Sequence, residues 1–204
     1  ALIAVAATLV MGITVFAAGG IISQWFSSSS SVPDYKTLPT PEEVVKDIGY
    51  EAVTIDEFAN GYKFDNGSIV DNNLTDDAGK SVEKFKSVTF RYIKDGDEVI
   101  FSQDKVSSDL ESSGNVVATV DGVDVYYHSY TNKVVPPDYK LNEEDKKAEE
   151  SGELVFSYGS SEVEIIEVQS VSWKKDGIYY QLLQIDGNLT ADELTEMASE
   201  VIKK

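Results

Sequence analysis

The stretch VEIIEVQSVSWKKDGIYYQLLQI, Val163 to Ile185, decides the fold. Two runs rich in β-branched and aromatic residues flank Asp176-Gly177, and an Asp-Gly pair in that setting is the strongest short-range hairpin signal a sequence carries. Both central residues of such a turn need positive φ, which glycine, asparagine and aspartate adopt at least cost. Ile178, Tyr180 and Leu182 fall on one face of the second run, so one side of the hairpin can be buried.

The same punctuation recurs on either side. Asn66-Gly67 separates GYKFD from SIVD, Asp95-Gly96 separates SVTFRYIK from DEVIFSQ, and Asp121-Gly122 separates VVATV from VDVYYHSY. Together they predict a run of antiparallel hairpins from Phe58 to Ile185, with LVFSYG as a further strand and Val88, Phe90 and Tyr92 on one buried face. Two helices frame it. Thr40, Pro41 and Glu43 form a helix start with a capping box, and Gly49 is its stop. At the far end Thr190 and Glu193 make a second capping box, Leu189 can staple onto Leu194, and Leu194, Met197, Ala198, Val201 and Ile202 recur at helical spacing. That stripe is the expected cover for the sheet. Asn142 to Ser151 reads as a short polar helix with a solvated face, closed by Gly152. The fold class is α+β: an N-terminal transmembrane helix, then an antiparallel hairpin-built sheet covered by a C-terminal helix.

The chain opens differently. From Ala1 to Ile22 there is no charged side chain, and the first ionisable residue is Asp34. A bilayer core of about 30 Å takes about 20 apolar residues as helix, so residues 1–26 are expected to span a membrane, with Trp25 and Phe26 at the water interface. Residues 27–39 read as a flexible tether of serines stiffened by Pro33 and Pro39, and residues 40–204 as the folded domain. A cleaved signal peptide competes, since small residues such as Ala17 and Ala18 suit a processing site, but its apolar region is about 7–15 residues long and this one is longer. The sequence starts within the apolar run, so a basic cytoplasmic flank is expected before Ala1, placing the domain outside the cytoplasm.

Composition bounds the chemistry. Asp34 to Lys204 carries all 36 acidic and 17 basic residues of the 204-residue chain, for a net charge of −19. Nucleic-acid affinity depends on cations meeting phosphates, so no nucleic-acid partner is expected. No cysteine is present, which excludes disulfides and thiolate metal sites. The one histidine, His128, lies near Asp124 and Ser129. Adjacent strand residues point to opposite faces, so His128 and Ser129 cannot pair locally, and His128 reads as a surface or edge residue. The stretch Asp71 to Gly79 invites a calcium reading, yet Asp76 stands where an EF-hand loop needs glycine and Val82 where it needs glutamate. It reads as a solvated turn, and Asp76 and Asp77 would serve acid-base chemistry only if buried. Asn66-Gly67-Ser68, Asn73-Leu74-Thr75 and Asn188-Leu189-Thr190 match the glycosylation pattern, the last with Thr190 already engaged as a cap. Among eleven tyrosines, Tyr126, Tyr127 and Tyr130 lie close together, and Tyr179 and Tyr180 face a strand bearing Trp173. They read as strand packing, with a recognition face as the competing use. No catalytic, cofactor-binding or metal-ligating residue is assigned.

Trp173, Asp176-Gly177, Tyr179-Tyr180 and the helix Leu194 to Ile202 together resemble the C-terminal extracytoplasmic domain of unknown function found in anti-sigma-factor-like membrane proteins of Gram-positive, largely clostridial, bacteria. The resemblance covers about the last 40 residues and carries no catalytic residue. It implies a single-pass protein held in the bilayer through residues 1–26, whose outer domain senses an envelope ligand or binds a protein partner. A cytoplasmic segment missing from this chain would restrain a sigma factor. A surface-tethered module binding peptide or glycan, without signalling, is the alternative.

Overall fold

Asp95, Asp121 and Asp176 have φ of 51°, 49° and 53°, and each is followed by a glycine with φ between 77° and 88°. These are hairpin turns with positive φ at both central residues, and around them the chain builds one curled, mixed sheet. The computed structural model describes residues 24–107, 112, 114–151 and 154–204. Among them run β1 (Gln24–Ser29), α1 (Pro41–Ile48), β2 (Lys63–Thr75), β3 (Ser81–Lys94), β4 (Asp97–Asp104), β5 (Asn115–Val120), β6 (Val123–Val135), α2 (Glu143–Ser151), β7 (Leu154–Tyr158), β8 (Glu164–Lys175), β9 (Ile178–Ile185) and α3 (Ala191–Ile202). The strand order is β1-β2-β3-β4-β9-β8-β6-β5, with β7 also on β6.

Alternation sorts the side chains onto two faces. On the covered face Val88, Phe90 and Tyr92 of β3, Val99 and Phe101 of β4, Ile178, Tyr180 and Leu182 of β9, and Val171 and Trp173 of β8 form the core. Trp173 and Tyr180 are paired directly across β8 and β9 and stack at 5.3 Å and 5°. Phe101 continues the stack 6.2 Å from both rings. Helix α3 covers this face with the expected stripe, Leu194, Met197, Ala198, Val201 and Ile202, all buried. Both capping boxes form as expected, Thr40 with Glu43 and Thr190 with Glu193, and Gly49 ends α1 in the left-handed region. Residues 50–62 cover the remainder: Gln103, fully buried, donates from Nε2 to the Val53 carbonyl at 2.9 Å and accepts the Val53 N–H at 2.7 Å. A side-chain amide here stands in for a neighbouring backbone.

Several expectations are corrected. Residues 24–26, expected as the end of a transmembrane helix, and Ser27–Ser29, expected as flexible tether, form β1, in register with β2 from Gln24↔Thr75 to Ser29↔Val70. Tyr35, also within the expected tether, exchanges backbone hydrogen bonds with Gly67 at 2.9 and 2.8 Å. An adjacent strand supplies the partners, and a serine run cannot announce that. Residues 1–23 of the expected helix lie outside the described residues. No described helix is long and apolar enough to cross a membrane.

Asn66-Gly67 is not a turn. It lies inside β2, beside a register shift between Phe64 and Asn66. The glycine answers close approach instead, since a Cβ there would sit 2.7 Å from the Phe90 ring. The β2–β3 turn falls at Asp76–Gly79, and β7 runs parallel to β6, so the sheet is mixed rather than wholly antiparallel. In α2 the face is not wholly solvated: Asp145 is buried and accepts from Lys133 Nζ at 2.6 Å and the Tyr139 hydroxyl at 2.9 Å. Gly152, expected to close α2, lies outside the described residues.

Candidate functional site

On the sheet face opposite the main core, five hydrogen-bonding side chains from four strands join into one chain. Trp25 Nε1 and Ser27 Oγ of β1 both donate to Asn72 Oδ1 of β2, at 2.8 and 2.7 Å. Asn72 Nδ2 donates to Ser87 Oγ of β3 at 2.8 Å. Ser87 in turn hydrogen-bonds the Asp104 carboxylate at the end of β4. Asn72 is 4% exposed, Ser87 2% and Asp104 7%. Strand parity explains the alignment: residues two apart share a face, and adjacent strands bring Ser27, Asn72 and Ser87 side by side.

Asp104 is the chemically unusual member. Burial pushes its carboxyl up to about 6, the Ser87 hydrogen bond opposing the rise. Tyr179, its direct partner on β9, and Tyr50 both have phenols raised, chiefly by burial and further by the Asp104 charge. Lys174 follows Tyr179 in the same cross-strand row. An apolar cluster of Leu74 and Val106, with Trp25 and Phe85 packed against it, seals the β1 end of the chain. Trp25 meets Phe85 edge-on at 5.6 Å. The indole expected at a membrane interface is therefore a fastening of β1 to the sheet.

Such an arrangement can store a proton and tie β1 to the sheet centre. Ser87 meets a carboxylate rather than an imidazole, and that carboxylate is itself held toward its protonated form by burial. Beside it, on the covered-face side of β1–β3, a groove of about 700 Å³ is lined by Phe26, Ser28, Ile48, Asp71, Lys84 and Lys86 among others.

The residues singled out in the sequence are dispersed. His128 is exposed, paired with Ser170, its ring 5.6 Å from Tyr130. Ser129 pairs with Gln169 on the other face, as alternation requires, and Asp124 accepts from Thr119 Oγ1 at 2.7 Å within its own hairpin. Asp76 uses Oδ1 to accept the Ala78 and Lys80 N–H groups at 3.0 and 2.8 Å, which makes it a turn residue. Asp71 belongs to β2 and Asp77 is exposed. Of the glycosylation matches, Asn66 bonds Asp65, Asn73 accepts from Ser81, and Thr190 caps α3. The tyrosines divide. Tyr180 is core; Tyr127 reaches Gln169 at 3.0 Å; Tyr126 and Tyr130 are half-buried on the face that carries His128.

Asn72, Ser87 and Asp104 carry no motif. Only their alternating positions hinted at a shared face, and which strands lie side by side is not written locally.

No protein-family model, curated protein or solved structure matches the chain.

Proposed function

We propose that this chain is the outer, partner-binding or sensory domain of a single-pass membrane protein of anti-sigma-factor-like layout, anchored by the apolar run Ala1–Ile22. The observation that supports this reading is the position of β1. It starts two residues after that apolar run, forms the sheet's edge, and is tied through Asn72 and Ser87 to buried Asp104. Ligand binding would shift the system only if the docked and undocked states of β1 bind it unequally. Undocking exposes Ser27–Ser31 to proteolysis or to a partner. The strong negative charge of the chain suits a cationic partner.

The test is expression of the full-length gene, membrane fractionation, protease shaving of intact cells and affinity capture. The expected result is membrane recovery, outside cleavage of the domain and co-purification of a sigma factor. Recovery of the whole polypeptide from the cytosol would overturn the reading. The alternative, a tethered peptide- or glycan-binding module, is favoured by Tyr126 and Tyr130 flanking exposed His128 on one face; membrane recovery without a sigma factor would select it.

A further inference from the structure

We propose that β1 is the docking edge for an extended, lysine-bearing segment of a partner polypeptide, which joins the sheet as an added strand. The inference deepens the partner-binding reading above and rests on it for the choice of occupant.

Backbone N–H and C=O groups on the outer side of a terminal strand offer a ready template for another strand. β1 ends the strand order, so no described strand lies beyond it. Edges are ordinarily protected by charge, proline or a bulge. The six residues QWFSSS have none of these: no charge precedes Asp34, no proline precedes Pro33, and the register with β2 runs without a shift. The opposite terminal strand, β5, does carry a bulge, between Val116 and Ala118. Beside β1, Phe26 is 37% exposed at the lip of the groove that Ile48 and Ser28 also line. An incoming strand places alternate side chains on that face, so an apolar one meets Phe26 while the backbone pairs.

Charge selects the occupant. A second copy would bring another −19 charge to the contact. A cationic partner suits the field of the whole domain. Around the groove itself Asp71 faces Lys84 and Lys86, so the field sets encounter rate and salt dependence while backbone pairing and Phe26 set residence.

The test uses the full chain in nanodiscs and three synthetic octapeptides: alternating lysine and valine, alternating glutamate and valine, and the lysine peptide with a central proline. The lysine–valine peptide should bind, protect the amides of residues 24–29 from hydrogen exchange, and associate about ten-fold faster than the glutamate peptide at low salt. Phe26→Lys and, separately, Ser28→Lys should weaken it about ten-fold with far-UV dichroism unchanged, since both side chains are exposed. Absence of protection at β1, equal binding of the proline peptide, or unaltered binding by both variants overturns the proposal. A dimer in sedimentation that Phe26→Lys dissolves would make a second copy the occupant and overturn it too. Cytosolic recovery of the native protein would sink the membrane reading while the peptide titration still reports on the edge.

Discussion

Replacing Asp104 with asparagine isolates the one carboxyl that the fold holds against its own preference. In the folded chain the group titrates at about 6 against the ordinary 3.8, because it is buried. The unfolded chain therefore gives up this proton first as pH rises, the folded chain holds it longer, and stability falls between about pH 4 and pH 6. The gap corresponds to about 3 kcal/mol lost by pH 7 and regained on acidification. The substituted amide keeps the shape and an oxygen to accept from Ser87 but cannot ionise. Relative to wild type, Asp104→Asn should thus be about 2 kcal/mol better placed at pH 7 than at pH 4, where the unfolded carboxyl is already half ionised, whatever constant offset the new amide brings. Asp97 and Glu193, whose carboxyls are held low, contribute with the opposite sign and cancel in the comparison. Urea denaturation of both proteins at half-unit pH intervals, followed by tryptophan fluorescence, measures it. Parallel stability curves from pH 4 to pH 7 would refute the reasoning.

Other consequences follow from single contacts. Asn72→Ala removes the acceptor shared by Trp25 and Ser27 and the donor to Ser87; it should cost about 1–3 kcal/mol in urea denaturation, with faster amide exchange concentrated in residues 24–29. Gly67→Ala forces a methyl to within 2.7 Å of the Phe90 ring; a loss of about 1–3 kcal/mol is expected, against near-wild-type stability for Ser68→Ala beside it. Trp173→Ala removes the largest ring of the Phe101–Trp173–Tyr180 cluster and should cost about 3–5 kcal/mol, read as a lowered thermal midpoint with loss of the near-ultraviolet signal.

Local signals suffice wherever the chain meets itself within a few residues. The Asp-Gly turns at Asp95, Asp121 and Asp176, both capping boxes and the apolar stripe of α3 each depend on one short segment, and its composition specifies them. Asn66-Gly67 shows where the same logic stops. Its glycine is required by the ring of Phe90, a residue of the next strand, so one dipeptide type signals a turn in one place and close strand packing in another. β1 fails to announce itself for a related reason: QWFSSS has weak strand character, and its order comes from the edge of β2. The polar chain is hidden deeper still. Ser87 and Asp104 lie on one face by alternation, but their meeting requires the β3–β4 register, and Asn72 requires that of β2 with β3.

The fastening of β1 is of the size a switch would need. Ordering a backbone residue costs about 1–2 kcal/mol, and among the described residues the six of β1 have strand partners on one side only. Its side-chain ties are the two bonds to Asn72, worth about 1 kcal/mol each, and the Trp25–Phe85 edge contact at 5.6 Å, worth about 0.5–1.5 kcal/mol. With the packing of Trp25 on Leu74 and Val106, worth about 1.5–3 kcal/mol more, these ties are of the order of the roughly 5.5 kcal/mol that carries a two-state equilibrium from 1:99 to 99:1. An added strand contributes backbone pairing of the same order, and deprotonation of Asp104 acts on Ser87, one step from Asn72. The proposed docking edge on β1 and the Asp104 carboxyl on β4 are thus joined through Asn72 and Ser87. If the two are coupled, occupancy of the β1 edge must move the Asp104 titration by the same factor that pH moves the affinity. Peptide titrations at pH 5 and pH 7 with wild type and Asp104→Asn check this directly: equal pH dependence in both would separate the strand from the carboxyl and remove the link.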